Sequence, residues 1–524
     1  MTKHTRWWSP ERGGFSSSRR DVVKGGAFVL GSLVIPWSRP RDARAATSAT
    51  FDYYISPTGN DSNPGTQASP WAITSLSPAA QNAYNVANWN KIAGKRVGLL
   101  SGTYNVYNLW LSAAWNSPAL NIPGGTASAP TVIQSVTPQG AHITANNGGA
   151  LPGNSGSSVS IIGQGYQYAK GYVVFDGLVI SDSNGYGIYV NGGGTSAEGA
   201  GGGSFIIRNC EIYNISGDAS NNPGCIMQYF SQGNLIQNCK LHDCTGGGAS
   251  LHNFAAIFSF NCHGNTYEYN TIYNCNSGIY DKNPGNGGHT YRYNYIEALG
   301  VSPQSCLEDC SGGSAGDVTS AHHNILVASS GVGWWTGQDQ TFPSHQSLLF
   351  YNNTCYSSGS SGSLMYWAAG AAVSPPAQVT HYNNIYYATG SPGPYGNVAF
   401  LTAGLAASNY NCYQSNGATT ACIGTSATAG LATLYTLPRW STLFGFDGNS
   451  FAANPSFSNP GVKLTPSGYT LNSGSSCIGA GRVGGTSSGA VCNLGAWDGT
   501  ITQIGCNFSS TVSVPNAPAA LSVS

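Results

Sequence analysis

Charge is what this 524-residue sequence has least of. Lys, Arg, Asp and Glu together make up 8% of it, 20 basic residues against 20 acidic ones. Nine of the basic and three of the acidic residues fall in positions 1–45, so the remainder holds eleven cations, seventeen anions and a net charge of −6. Binding to a phosphate backbone needs a dense basic surface, so nucleic acid is excluded as a partner. The few cations that remain each carry information about any anionic substrate. Low charge does not mean disorder here, because 41% of the residues are hydrophobic. There is no CxxC pair and no His-rich spacing, which excludes the usual zinc frameworks. Beyond residue 45 no apolar run is long enough to span a bilayer. Helical periodicity is missing from the long central stretch, which reads as short strands broken by Gly, Asn and Ser.

What that stretch does contain is a repeat. From Phe205 to Ala388 one phrase recurs: NCEIYNI at Asn209, NCKLHDC at Asn238, YNTIYNC at Tyr269, YNYIEAL at Tyr293, HNILVAS at His323, NNTCYSS at Asn352 and YNNIYYA at Tyr382. Aligned on Ile212, Leu241, Ile272, Ile296, Leu326, Cys355 and Ile385, the phrases step by 29, 31, 24, 30, 29 and 30 residues. A period of this size in strand-like sequence predicts a β-solenoid, each coil stacking on the one before. Two residues before each anchor stand Cys210, Cys239, Asn270, Asn294, Asn324, Asn353 and Asn383. Five asparagines at one phase predict an internal ladder of stacked amides. The pattern resembles the right-handed parallel β-helix proteins of the pectate-lyase-like superfamily. The expected fold class is therefore all-β, a right-handed parallel β-helix with capped ends.

Several flanking features fit. Ser18-Arg19-Arg20-Asp21-Val22-Val23-Lys24, the apolar run 25–35 and Ala43-Arg44-Ala45 resemble a twin-arginine export signal with its cleavage site. That resemblance implies a secreted or periplasmic protein, free of the membrane after cleavage and expected to be monomeric. The expected organisation is signal 1–45, an N-terminal opening segment and cap 46–130, coils 131–390, and C-terminal coils, closing motif and tail 391–524. Residues 75–95 are the candidate cap, and after Ala388 the period fades. Fourteen cysteines behind an export signal favour disulfides. The phase stacks Cys210 on Cys239 and Cys244 on Cys275, at a coil spacing of about 4.8 Å that a disulfide can bridge. Free, stacked core thiols are the alternative. Cys306/Cys310, Cys412/Cys422 and Cys477/Cys492 are further pairs close in sequence.

Each coil has a second strand, and alternation sends the residues one and three places after its first apolar residue outward. One outward row is Asn191, Tyr229, Phe260, Lys282, Cys310, Trp335 and Trp367; the other is Tyr189, Met227, Phe258, Tyr280, Glu308, Gly333 and Met365. Tyr229, Phe260, Trp335 and Trp367 form an aromatic strip suited to sugar rings and a linear polysaccharide, unless a loop covers it. Lys282 lies within the strip, with Tyr280 beside it and Glu308 on the next coil. In the polysaccharide lyases that the chain resembles, this face carries the catalytic Lys or Arg. Lys282 is then expected to take the proton next to a uronate carboxylate in a β-elimination. Arg292 is the next cation in sequence, although its alignment with Glu268 offers it an ion pair instead. His263 and His289 fall in turns near the face and are candidate substrate-binding groups. Asp281 and Asp309 are the best local ligands for a Ca2+ ion of the kind many such lyases hold. Two other readings stand beside the lyase: a glycoside hydrolase using Glu308 with Asp309 or Asp281, and a glycan-binding solenoid without chemistry.

Overall fold

The computed structural model describes residues 50–508, apart from 78–82, 110–117, 148–158, 165–170, 194–203, 218–221, 247–253, 284–286, 299–304, 312–315, 329–331, 338–346, 359–363, 369–377, 390–397, 401–404, 416–422 and 426–432. The export-signal reading of residues 1–45 falls outside the described residues, as do Cys422 and the side chain of Cys310.

One coil shows the plan. The strand Thr266–Glu268 belongs to sheet 1, Thr271–Cys275 to sheet 2 and Ser277–Asn283 to sheet 3; the chain then returns to sheet 1 at Thr290–Arg292. Each strand pairs in parallel with its equivalent one coil on; among the described residues the last strands of sheet 3, Ile423–Thr425 and Thr433–Tyr435, pair antiparallel, as do the short strands Gly481–Arg482 and Val491–Cys492 outside the three sheets. Sheet 1 runs through twelve strands, from Tyr53–Ile55 to Leu405–Asn409. Its first strands thus lie within the opening segment. Each sheet sends one apolar row inward: Ile207, Ile236, Tyr267 and Tyr291 from sheet 1, Ile212, Leu241 and Ile272 from sheet 2, and Ile226, Ile257 and Ile279 from sheet 3. The expected cap region contains the helix Ala83–Lys91, whose Trp89 indole donates to the Asn121 carbonyl at 2.5 Å. No described helix is long and apolar enough to cross a membrane.

The corner between sheets 1 and 2 explains the repeated phrase. Asn209, Asn238, Tyr269, Tyr293, His323, Asn352, Asn383 and Tyr410 each turn the chain there with positive φ. The residue after the turn points inward. Asn270 Nδ2 donates to Asn294 Oδ1, Asn294 to Asn324, Asn324 to Asn353, Asn353 to Asn384 and Asn384 to Asn411, all within 2.9–3.2 Å. Each Oδ1 also accepts the backbone N–H of the coil before, as Asn324 Oδ1 does from Asn294 N at 3.1 Å. Turn amides that would otherwise be buried without partners are satisfied in this way. The rung expected at Asn383 is held by Asn384. Cys355 pairs with Tyr386, not Ile385, so that coil carries one residue more than the repeat assigns. The coils also do not fade at Ala388. Cys412–Ser415 stacks on Ile385–Ala388, and Asn411 ends the ladder against Asp447, beneath the buried Trp440 of the helix Leu437–Phe444.

The expected disulfides are not formed. Cys210, Cys239, Cys244 and Cys275 are free, buried thiols, stacked as the repeat requires, and Cys306, Cys412, Cys477 and Cys492 are free as well. Removing a middle rung tests the ladder. Asn324→Leu orphans groups on both neighbouring coils and should cost on the order of 3 kcal/mol, read as a lower denaturation midpoint at unchanged denaturant slope. A midpoint equal to wild type would mean the ladder contributes nothing to stability.

Candidate active site

Sheet 3 separates its two faces cleanly. Ile188, Ile226, Ile257, Ile279 and Leu307 join the main core, whereas Tyr186, Tyr189, Met227, Ala255, Phe258 and Tyr280 form a distinct outer cluster with Tyr229 and Phe260 at its edge. The row Asn191–Tyr229–Phe260–Lys282–Cys310 is in register, as is Tyr189–Met227–Phe258–Tyr280–Glu308. Lys282 is partly exposed, with its Nζ 5.8 Å from the centre of the Tyr280 ring. It is the only Lys or Arg on the described strands of sheet 3. Glu308, one coil on, is 1% exposed and accepts the Ser305 hydroxyl at 3.0 Å.

The aromatic strip differs from the expectation in two respects. Tyr229 and Phe260 stack on each other at 5.1 Å and 19°, because side chains in register on adjacent coils meet face to face. Their inner faces are occupied by each other, so a sugar ring meets edges and the outer faces of the pair. The other respect is register. Glu308 pairs with Trp335, which puts Trp335 on the Tyr280 row, and Thr336 pairs with Trp367, which puts Trp367 in line with Asp309. Neither tryptophan shares a row with Lys282, and both side chains lie outside the described residues. The Gly-rich strand start misled the alignment: Val332 pairs with Ser305, two residues before Leu307.

The carboxylates part company as well. The alternation that sends Lys282 outward sends Asp281 and Asp309 into the core, where they are 0% and 1% exposed. Asp281 accepts the hydroxyls of Tyr267, at 2.9 Å, and of Tyr291. Both aspartates are thus turned away from the surface a Ca2+ ion would occupy, and the described residues contain no cluster of three or more His, Cys, Asp and Glu side chains of the kind that holds a metal. The hydrolase pair fails on the same ground, since Glu308 and either aspartate lie on opposite faces of the sheet. His289 is also in the core, fully buried. It takes an Asn's place in a second ladder at the corner between sheets 3 and 1, Nδ1 accepting Asn265 N–H at 3.2 Å. Its Nε2 has no hydrogen-bond partner and stands 3.7 Å from Asp281 Oδ1. His263 remains accessible, 41% of its side chain exposed, with Nε2 3.1 Å from Asp317. Arg292 belongs to sheet 1 and is bound to Glu268 at 2.6 Å, remote in register from the Lys282 strip. Its alignment with Glu268 already pointed there.

Sequence reasoning passed over two polar groupings. One is the seam inside the core, where Asn234, Gln228, Ser259, Tyr267, Asp281 and Tyr291 are linked by hydrogen bonds. The other is on the outer face of sheet 2. There Glu211 accepts Lys240 Nζ at 2.7 Å and His242 Nε2 at 3.2 Å, His242 Nδ1 meets Asp243 at 2.7 Å, and the rings of Tyr213, His242 and Tyr273 stack. The His242 hydrogen bond is the strongest influence lowering Glu211, to about 2, despite opposing burial; its bond with Lys240 adds to the effect. The alternation of charge in KLHDC was the available signal.

Residues 135–301 match the family described as right handed beta helix region. The fold is a right-handed parallel β-helix. No curated protein matches the sequence. Among solved structures the chain is similar to pectate lyase Pel9A, at 12% identity over 86% of this chain and 98% of that one, with a TM-score of 0.46. It is similar to XylC, solved with xylose, at 11% over 87% and 99%, TM-score 0.45. It is also similar to a GH136 lacto-N-biosidase from Eubacterium ramulus, at 14% over 64% of each chain, TM-score 0.39. At this level of likeness none of the three says which chemistry this β-helix performs.

The buried pair under the site gives a pH test. Burial pushes Asp281 up from 3.8 to about 6, and burial pushes His289 down from 6.5 to about 4. The raised Asp281 contributes stability that is lost as pH rises from about 4 to about 6; the lowered His289 contributes stability that is lost as pH falls through the same window. In wild type the two slopes offset each other. His289→Asn keeps a ladder side chain and leaves Asp281 alone, so its unfolding free energy should fall by about 3 kcal/mol between pH 4 and 6.5 relative to wild type. Parallel pH curves for the two proteins would contradict this.

Proposed function

We propose that this β-helix is a secreted carbohydrate-active enzyme that cleaves a polysaccharide by β-elimination at a uronate, on the outer face of sheet 3. The observation that carries the reading is the position of Lys282, the one cation on the described strands of that sheet, partly exposed beside Tyr280 and in register with Phe260. A lysine serves as a base in its neutral form, and a substrate lying over Phe260 would exclude water from this position. In its ammonium form the same group stabilises the enolate that follows proton loss. One cation fits a polymer with widely spaced carboxylates, such as uronates alternating with neutral sugars. Export through the segment 1–45 agrees with a polymeric substrate, which would be met outside the cell.

Removal of the base tests this. Lys282→Ala should slow formation of unsaturated product by roughly 10²–10⁴-fold, and Lys282→Arg should not restore it, because arginine stays charged. The midpoint of thermal unfolding should hardly move, since the side chain is on the outer face. Activity of Lys282→Ala within a few-fold of wild type would remove Lys282 from the mechanism.

A further inference from the structure

We propose a second reactive centre, on the outer face of sheet 1, that hydrolyses an ester on a neutral saccharide with His322 as its general base. It is independent of the sheet 3 site and uses none of its residues. Arg292, His322 and Tyr351 occupy one outward row on successive coils. His322 Nδ1 lies 2.8 Å from His323 Nδ1, and His323 Nε2 lies 3.1 Å from Asp498 Oδ2. Asp498 comes from the C-terminal segment, and its other oxygen accepts the Thr500 amide and hydroxyl at 2.8 and 2.7 Å. The three residues of the relay are 8%, 4% and 7% exposed, so these bonds are largely shielded from water.

Counting protons along this chain identifies the reactive atom. Asp498 can only accept, so His323 donates from Nε2. With His323 neutral, its Nδ1 accepts, and the shared proton is on His322 Nδ1. His322 Nε2 is then a bare lone pair, since the ring's hydrogen bond to His323 is made through Nδ1. The ring is fixed between Tyr351, stacked at 4.7 Å and 12°, and the edge of Tyr293 at 5.6 Å. Burial above all, with the nearby Arg292 cation, holds His322 well below the ordinary histidine range. Its Nε2 therefore stays unprotonated near neutral pH, the state a base needs.

Charge balance selects the substrate. Arg292 donates to Glu268 from Nε at 2.6 Å, its Nη2 is also 2.6 Å from Glu268, and the other Glu268 oxygen accepts Gln237 at 2.6 Å. That ion pair is neutral overall, and with His322 neutral the centre offers little hold on a carboxylate. It suits an uncharged group that gains negative charge only in the transition state, while Arg292, 34% exposed, remains the adjacent cation. An ester meets this description. Water attacks the acyl carbon as its proton passes to His322 Nε2, and the Nδ1 proton shifts to His323 Nδ1. The carbonyl oxygen takes the negative charge beside Arg292. When the acyl C–O bond breaks, the saccharide oxygen leaves with the proton returned from His322 Nε2, and the shared proton moves back from His323 Nδ1 to His322 Nδ1. The products are a carboxylic acid and a free hydroxyl, and only water is consumed. His323 and Asp498 are positioning residues that sustain the basicity of His322.

The full chain assayed with p-nitrophenyl acetate tests the proposal. Wild type should release p-nitrophenolate with a rate that rises to a plateau along a limb centred below pH 6.5. His322→Gln should lose about 10²-fold in kcat, while His142→Gln should match wild type. Asp498→Asn should leave KM nearly unchanged, lower kcat and move the limb to lower pH, because a carboxylate no longer supports the relay. Equal rates for His322→Gln and wild type would overturn the proposal. So would an Asp498→Asn protein whose melting temperature falls while its pH profile stays put, since the relay would then only tie down the C-terminal segment. If His322→Gln does not fold, the wild-type profile decides, and absence of a limb below pH 6.5 rejects the centre.

Discussion

One spacing governs this protein: the step of about 4.8 Å between hydrogen-bonded coils. It stacks like on like along the axis, and the asparagine ladder from Asn270 to Asn411 fixes the rotational phase of each coil. Once the phase is set, every third of a turn presents the same row of side chains to the same environment. A polar side chain placed inward must then find its partners one coil up or down. Asp281 does so with two tyrosine hydroxyls, and His289 only in part.

The same spacing decides what the outer faces can do. Rings on adjacent coils lie close enough to stack on one another, as Tyr229 with Phe260, Tyr213 with His242 and His322 with Tyr351 do. Such stacks stiffen a face and turn ring edges toward solvent. Charges in neighbouring rungs neutralise one another, as Lys240 does with Glu211 and Arg292 with Glu268. A solenoid face thus tends to satisfy itself, and groups set apart by their position are the ones to examine for chemistry. Lys282, the one cation of the row Asn191–Tyr229–Phe260–Lys282–Cys310, and His322 Nε2, at the open end of a relay, are the two that stand out.

Much of this could be read from the sequence, because a stacked fold writes its geometry as a period. The phrase aligned Ile212 with Leu241 and Ile272 as the structure does, and the Asn column found the ladder. The errors came where a coil gains or loses a residue. Asn384 replaces Asn383 through one extra residue, and Val332 pairs two residues earlier than its apolar character suggested. A tail of Gly and Ser gives no apolar mark by which to fix register. Parity was the safer guide: alternation along the strands puts Asp281 and Asp309 inside, whereas the calcium and hydrolase readings followed local charge. The relay was illegible for another reason. His323 and Asp498 are separated by 175 residues, and nothing periodic links them.

The central claim is that the outer face of sheet 3 breaks a polysaccharide by elimination, and the product reports it most directly. The chain lacking residues 1–45 would be incubated with a panel of uronate-containing and neutral polysaccharides, following ultraviolet absorbance of an unsaturated sugar together with reducing ends. Elimination predicts that absorbance and reducing ends rise together on a uronate polymer and on no neutral one. Reducing ends without absorbance would contradict it.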